Sequence, residues 1–151
     1  MDQSQQAQTS TLRTLFVFLF SSFLLSGCAS FGEEQDEPLR NTYWKLETLY
    51  GYPITTQENQ REAFIQFTSP KGFTGHSGCN QMFGQYHQQG SLLYFTKVAS
   101  TKMACIGRAD ETEQLMIDLL KEPRIWVINK NKLVLFNEKQ DAIARFRSVY
   151  F

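Results

Sequence analysis

The sequence predicts an α+β domain in which a strongly curved, half-barrel-like antiparallel β-sheet packs around one α-helix. Three observations predict it: short segments with the alternation of strands, one later segment with helical periodicity, and an aromatic content of 14%. About eight strands and one amphipathic helix bury their apolar faces most economically when the sheet curls around the helix. The aromatic side chains expected in this core are Trp44, Phe67, Tyr94, Phe95, Trp126 and Phe136.

Five strands are predicted ahead of the helix. Residues 42–49 place Trp44 and Leu46 on one face and polar side chains between them, the period of a half-buried strand. The turn at residues 51–53 ends this strand. Glycines between residues 72 and 84 indicate bulges or close backbone approach. The other four strands are expected at 63–68, 73–76, 85–88 and 92–96.

The period changes at Asp110, where one helix of about three turns is predicted. Asp110 with Glu113 three residues later resembles a capping box, and Pro123 ends the helix. The acidic side chains at 111, 113 and 118 are interpreted as a solvated face that also suits the positive helix N-terminus. The apolar residues at helical spacing are Leu115, Met116, Leu119 and Leu120. Three more strands are expected, at 124–128, 132–136 and 142–149.

The N-terminal segment has the order of features of a secretory signal. Residues 15–25 form an apolar run after Arg13, too short for a membrane-spanning helix of about 20 residues. Leu25-Ser26-Gly27-Cys28 resembles the bacterial lipobox, in which the cysteine thiol takes a diacylglycerol and the signal is cut before it. We therefore interpret residues 1–27 as a lipoprotein signal peptide and Cys28 as the lipidation site. The alternatives are an ordinary signal peptide with a chance cysteine, or an N-terminal anchor helix.

The remaining chain is long enough for one domain and too short for two. Residues 28–40 are acidic and poor in apolar side chains, so they are predicted to form the lipidated cysteine and a flexible tether. Residues 41–151 would form the folded domain. Ala29 and Ser30 stand where an Asp usually retains a lipoprotein in the inner membrane. We expect a lipid anchor in the cell envelope, in the outer membrane and facing the periplasm.

The balance of charges limits the classes of partner. The chain has 15 Lys and Arg against 15 Asp and Glu, for a formal net charge of zero. It therefore lacks the basic field that holds nucleic acid and the acidic field that holds cations. The expected partners are the membrane, through the lipid, and a protein of the envelope, and the domain is expected to be monomeric.

With Cys28 lipidated, Cys79 and Cys105 remain as a pair in an oxidising compartment, where a disulfide is the default. Closing the loop between them would stabilise the fold by roughly 3.5 kcal/mol. Two buried free thiols, or a metal or redox role, are the alternatives. His76 and His87 complete a set of zinc-ligand types, but no tight Cys-x-x-Cys pair supports a structural site. We expect no metal and no cofactor.

Two separated motifs resemble the signature of the META/HslJ family: Gly-x-x-Gly-Cys-Asn followed by a tyrosine, and Thr-x-Met-Ala-Cys. The resemblance covers Asn41 to about Val149 and implies a curved antiparallel sheet packed on one helix. It also implies an envelope lipoprotein, sometimes linked to heat or antibiotic stress, and no known reaction. Met82-Phe83 depart from the smaller or more polar pair that is common there. The motif positions, which transfer as structural ones, are Gly75, Gly78, Asn80, Tyr86, Thr101, Met103 and Ala104.

The chemistry of the first motif admits an enzymatic alternative, in which Cys79 is a nucleophile with His76 or His87 as its base. The structural interpretation is stronger, because glycine and asparagine suit a turn and the cysteine has a partner in Cys105. No catalytic motif of a known type is present, so we expect a protein that is not an enzyme and has no catalytic residues.

Two functions then remain open. One is an accessory or stress-related envelope module that binds a protein partner. The other is a binder of a small apolar ligand, such as an acyl chain or a hydrophobic antibiotic, in a cleft between sheet and helix. A packed core with an exposed apolar patch favours the partner, whereas an empty cleft favours the ligand.

Overall fold

The computed structural model describes residues 35–151 except Gln57, Asn59, Ser69 and Ile106. The predicted signal peptide, the lipidation site and the first part of the predicted tether lie outside these residues. The described residues contain nine strands and one helix, which are, in order, β1 (Tyr43–Leu49), β2 (Tyr52–Pro53), β3 (Phe64–Phe67), β4 (Gly72–His76), β5 (Gln81–Gln89), β6 (Leu92–Ser100), α1 (Arg108–Leu119), β7 (Arg124–Asn129), β8 (Lys132–Phe136) and β9 (Ala142–Val149).

The strands form one antiparallel sheet that closes on itself. From β3 to β9 each strand pairs with the next along the chain, and β1 pairs with both β3 and β9. The short β2 pairs with the end of β1. The join between β6 and β7 is narrow, with Leu92 opposite Ile125 and Leu93 opposite Arg124, because α1 is inserted between these strands. The predicted fold class, a curved antiparallel sheet with one helix, is confirmed.

The core lies inside the curved sheet, against α1. Trp44, Phe67 and Phe146 are fully buried there, and Met116 and Leu119 extend the core from the helix. Of the expected aromatic core, Trp44, Phe67 and Phe95 are buried, but Tyr94, Trp126 and Phe136 are only half-buried. Tyr94 is only half-buried because side chains alternate between the two faces of a strand, and its neighbours Leu93 and Phe95 face inward.

The closed sheet has two ends. We call one the tether end: it comprises residues 36–41, the β3–β4 and β7–β8 turns and the end of β9. The backbone amide of Lys130 donates to Oδ1 of Asp36 over 2.6 Å, and that of Asn41 donates to the carbonyl of Phe67 over 2.8 Å. We call the other the helix end: it comprises the β1–β2 turn, the β4–β5 turn and the start of α1. The length of β1 separates the two by about 20 Å.

Several details differ from the sequence prediction. The strand β2 was not predicted, and β5 begins at Gln81 instead of residue 85. The predicted capping box is wrong: α1 begins at Arg108 after Gly107, without a side-chain cap, and Asp110 lies inside the first turn. Residues 36–40, predicted as tether, lie against the domain, where Leu39 is buried and its carbonyl accepts the Trp44 indole N–H over 3.0 Å.

Within the part of the chain that the structure describes, no helix has the length and apolar character needed to cross a membrane.

Candidate functional site

The two family-like motifs meet at the helix end, in a group we call the motif cluster. It consists of Ser77, Asn80, Thr101, the backbone of Met103, Glu113 and the disulfide between Cys79 and Cys105. The β4–β5 turn supplies the first residues, the segment after β6 supplies the second motif, and α1 supplies Glu113. Three separate parts of the chain therefore converge at this point.

The β4–β5 turn holds itself in shape. The backbone amide of Ser77 donates to the backbone carbonyl of Asn80 over 2.9 Å. The backbone amide of Asn80 donates in turn to the Ser77 hydroxyl oxygen over 2.9 Å. Gly78 has a φ of 97°, a conformation in which a side chain would be strained. The turn therefore favours glycine at position 78, whereas residue 80 takes part in the turn through its backbone alone.

Asn80 is the centre of the cluster and is 2% exposed. Its Oδ1 accepts from the Thr101 hydroxyl and from the Met103 amide, both over 2.8 Å. Its Nδ2 donates to Oε2 of Glu113 over 2.7 Å and to the Met103 carbonyl over 3.2 Å. The Asn80 side chain therefore joins the turn to the segment after β6 and to the helix. These contacts explain the asparagine of the first motif and the threonine of the second.

Glu113 was predicted to face solvent with Glu111 and Asp118, and for Glu113 this is wrong. Its side chain is 7% exposed and accepts hydrogen bonds from Asn80 and, over 3.2 Å, from the Ser77 hydroxyl. It lies on the helix face of Ala109 and Met116, four residues after one and three before the other, which packs on the sheet. Glu111 and Asp118 are exposed, as predicted.

Cys79 and Cys105 form a disulfide with a Cα–Cα distance of 5.9 Å, so the predicted pairing is present in the structure. Oε2 of Glu113 lies 3.4 Å from Sγ of Cys105, and the Asn80 amide nitrogen lies 3.3 Å from the same sulfur. The two sulfurs and the Glu113 carboxylate all lie within 4.8 Å of one another. Because each sulfur is bonded to the other, neither offers a thiolate to a metal or a substrate.

The two histidines considered as bases lie in different surroundings. His76 is buried, and its Nδ1 accepts the Gly78 amide over 3.0 Å. Burial lowers the pKa of His76, the charge of Arg61 lowers it further, and Glu113 acts in the opposite direction. His87 is exposed on β5, where its ring stacks on Tyr94 with a centroid distance of 4.5 Å. His76 is thus positioned as a structural acceptor.

The other motif positions have separate structural roles. At Gly75 a Cβ atom would lie 2.6 Å from the carbonyl oxygen of Phe64, so only glycine allows β3 and β4 to approach. Tyr86 is buried far along β5, edge to face with Phe67 at 4.7 Å. The Met103 side chain is 61% exposed, so this residue serves the cluster through its backbone. Ala104 is exposed, and no contact explains its place in the motif.

Beside the motif cluster lies a groove that the sequence did not predict, which we call the helix-end groove. Its cavity is about 780 Å³, and it separates the segment after β1 from the first turns of α1. Tyr52 stands at its edge and is 69% exposed. A smaller adjoining cleft reaches Ser77 and Gly78. The residues lining the groove are Tyr52, Pro53, Ile54, Thr55, Arg108, Asp110, Glu111, Thr112, Gln114 and Leu115.

A second cavity, of about 320 Å³, lies between β6 and the second half of α1. Its walls combine apolar side chains with polar ones, among them Phe95, Val98, Ile117, Leu120, Thr96, Lys97, Ser100 and Lys121. It is a cleft between sheet and helix, of the kind expected for a small apolar ligand. The sequence analysis kept such a cleft as an alternative, but it gave no signal for the helix-end groove, because β2 is too short to register as a strand.

Comparison with known proteins gives a consistent result. The model of the META domain family matches residues 37–150. A protein structure solved by NMR is 24% identical, with a TM-score of 0.60, and the match covers 72% of this chain and 90% of the other. An NMR structure of a protein from Burkholderia xenovorans is 18% identical, with a TM-score of 0.59, covering 75% and 85%. These two structures support the fold. None of the curated proteins matches this chain.

Proposed function

The chain belongs to the META domain family, and on that premise we propose that it is a non-enzymatic, lipid-anchored accessory protein of the cell envelope whose helix-end groove binds a protein partner. The groove carries this proposal, because it is a large cavity with an exposed aromatic side chain at its edge. Such a concave, largely apolar surface is typical of binding sites.

The chemistry of the groove suits a short segment of another protein. Tyr52, Ile54 and Leu115 provide apolar surface, while the lining also carries one basic side chain, Arg108, and two acidic ones, Asp110 and Glu111. Tyrosine and arginine are frequent among the residues that dominate binding energy. A segment with an apolar anchor and charged groups of both signs would be complementary to this arrangement.

The position of the groove also agrees with an anchored protein. The chain enters the domain at the tether end, where Asp36 and Glu37 hydrogen-bond to Lys130 of the β7–β8 turn. The groove lies at the other end of β1, about 20 Å away. A lipid on Cys28 would therefore leave the groove facing the aqueous compartment, which we propose to be the periplasm, with the anchor in the outer membrane.

We propose a role without catalysis because the polar groups of the motif cluster are already engaged in structural contacts. Glu113 accepts two hydrogen bonds, His76 accepts the Gly78 amide through Nδ1, and Cys79 is bonded to Cys105. These are the groups that an acid–base or nucleophilic reaction would require. In this arrangement they hold a turn to a helix.

A second candidate function is the binding of a small apolar ligand, and the cavity between β6 and α1 favours it. Its volume of about 320 Å³ and the apolar part of its walls, Phe95, Val98, Ile117 and Leu120, suit part of an acyl chain. The two candidates use different surfaces, so one set of variants separates them.

The test is photo-crosslinking in intact cells with a benzophenone side chain placed at Tyr52. The matched control carries the same group at Val127, which is also exposed but lies on β7, outside the groove. We expect a discrete protein adduct from position 52 that position 127 does not give, and loss of that adduct when Arg108→Glu is added. Equal labelling from both positions would contradict the groove.

The alternative, binding of a small apolar ligand, is tested by native mass spectrometry of the protein purified from the same cells. A bound lipid or other small molecule that disappears with Val98→Lys would support that alternative. Cell fractionation that finds the protein only in the inner membrane would overturn the proposed location.

A further inference from the structure

We propose that the tether end is a membrane-contact surface, on which aromatic and basic side chains lie against the phospholipid headgroups of the bilayer that holds the anchor. This inference rests on the proposed lipid anchor and adds an orientation to it. The tether end and the helix-end groove then have separate tasks, one toward lipid and one toward protein.

Aromatic side chains cluster at this end. Tyr150 is 70% exposed and Phe151 is 96% exposed. The ring of Phe151 meets Tyr43 edge to face at 5.1 Å, and Tyr43 stacks on Phe64 at 4.2 Å. Tyrosine rings, which have one polar edge, accumulate at membrane–water interfaces, and the apolar ring of Phe151 can enter the same region from the headgroup side.

Basic side chains surround the aromatic cluster. Arg40 precedes β1, Lys71 lies in the β3–β4 turn, Lys130 lies in the β7–β8 turn and Lys132 begins β8, all with exposed side chains. These four residues offer positive charge toward the phosphates of an anionic bilayer.

The two acidic residues of the entering segment have partners at the same end. Oδ1 of Asp36 accepts the Lys130 amide over 2.6 Å. The Glu37 carboxylate accepts the Tyr150 hydroxyl, a contact that raises the pKa of that tyrosine. Both donors are neutral, so the two carboxylates keep their charge, and the four basic side chains outnumber them at this end by two.

The length of the intervening chain sets how far this end can move from the membrane. Residues 29–35 connect Cys28 to the segment that docks on the domain. Fully extended, they span at most about 28 Å. The tether end is the part of the described domain from which this connection leaves, so it is the part held nearest to the lipid.

The test uses the full lipidated chain in vesicles of phosphatidylcholine and phosphatidylglycerol, with phospholipids brominated high on their acyl chains as quenchers. One protein carries the reporter Phe151→Trp and the matched control carries Tyr52→Trp, an exposed aromatic at the helix end. After subtraction of the signal from the native tryptophans, we expect quenching at position 151 to be at least about threefold stronger. Equal quenching would overturn the proposal.

A second arm varies the charge. Arg40→Glu with Lys132→Glu, added to Phe151→Trp, should lower quenching in mixed vesicles and leave it unchanged in pure phosphatidylcholine. The control is Lys102→Glu with Lys139→Glu, which makes the same change in charge at exposed positions nearer the helix end. If both pairs have the same effect, the basic side chains do not belong to the contact surface.

Flotation of the vesicles separates this proposal from the anchor. If flotation requires Cys28 but the two reporters are quenched equally, the anchor stands and the membrane-contact surface is wrong. If a Cys28→Ser chain prepared without residues 1–27 floats as well as the unmodified one, the lipid anchor is wrong. The difference between the two reporters then still decides the contact surface, because it is measured on whatever protein is bound.

Discussion

The side-chain amide of Asn80 donates a hydrogen bond of 2.7 Å to Oε2 of Glu113, and this contact joins the β4–β5 turn to α1. Both residues are buried. The helix that Glu113 belongs to forms one wall of the helix-end groove. A residue of the first motif is therefore connected to the proposed binding surface through one hydrogen bond, although it does not line that surface.

Asn80→Asp should destabilise the domain by about 3 kcal/mol, because it places a second carboxylate against the buried carboxylate of Glu113. The free energy of unfolding, measured in urea, checks this. Asn129→Asp makes the same change at an exposed position at the end of β7 and should alter stability by less than about 0.5 kcal/mol. If the two variants were equally stable, Asn80 would not have the role that its contacts indicate.

Glu113→Gln should partly rescue Asn80→Asp, because it removes one of the two facing charges. We expect the effects of the two substitutions to be non-additive by about 1 to 2 kcal/mol in a double-mutant cycle. The measurement is again urea unfolding, of the wild type, both single variants and the double variant. Additive effects would mean that the two side chains do not interact in solution.

Gly75→Ala should cost about 2 kcal/mol, because its Cβ would meet the backbone carbonyl of Phe64, which cannot rotate away. The shift of the thermal midpoint measures it. Gly51→Asn is the control: that turn has open space around it, and asparagine is the residue that adopts a positive φ such as its 85° with the least strain, so its cost should be smaller. A Gly75→Ala domain as stable as this control would show that β3 and β4 can separate at no cost.

The stability of the domain should depend on pH through His76. Burial lowers the pKa of His76 from its ordinary value of 6.5, so the unfolded chain takes up a proton that the folded chain resists. The free energy of unfolding therefore falls as the pH drops below 6.5 and levels off below the pKa of the folded state.

His76→Asn tests this dependence. Asparagine keeps an acceptor for the Gly78 amide and removes the titration, so the loss of stability between about pH 7 and pH 5 should be smaller than in the wild type. His87→Gln changes an exposed histidine and should retain the wild-type slope. Parallel profiles for all three proteins would exclude His76 as the source.

The fold could be predicted because its strands and its helix each show a characteristic periodicity in the local sequence. Strand alternation and the helical spacing of Leu115, Met116 and Leu119 are properties of neighbouring residues, and they predicted every long element. The closure of β1 onto β9 and the short β2 depend on contacts between distant segments, which periodicity does not report.

The motif cluster was predicted only in part. The pairing of Cys79 with Cys105 followed from the cysteine count, and the turn at Gly78 and Asn80 followed from residue type. Glu113 was misplaced because acidic residues near a helix start usually face solvent. Its spacing of three residues from Met116 was the signal that placed it on the inner face. The helix-end groove had no local signal at all.

The motif cluster acts as a structural clamp fastened by the disulfide, and it holds α1 against the sheet. Unfolding of the protein in urea with and without reductant, while mass spectrometry counts the free thiols, tests this role most directly. We predict that Cys79 and Cys105 are blocked and that reduction lowers the free energy of unfolding by about 3.5 kcal/mol. Two free, reactive thiols and an unchanged free energy of unfolding would contradict the clamp.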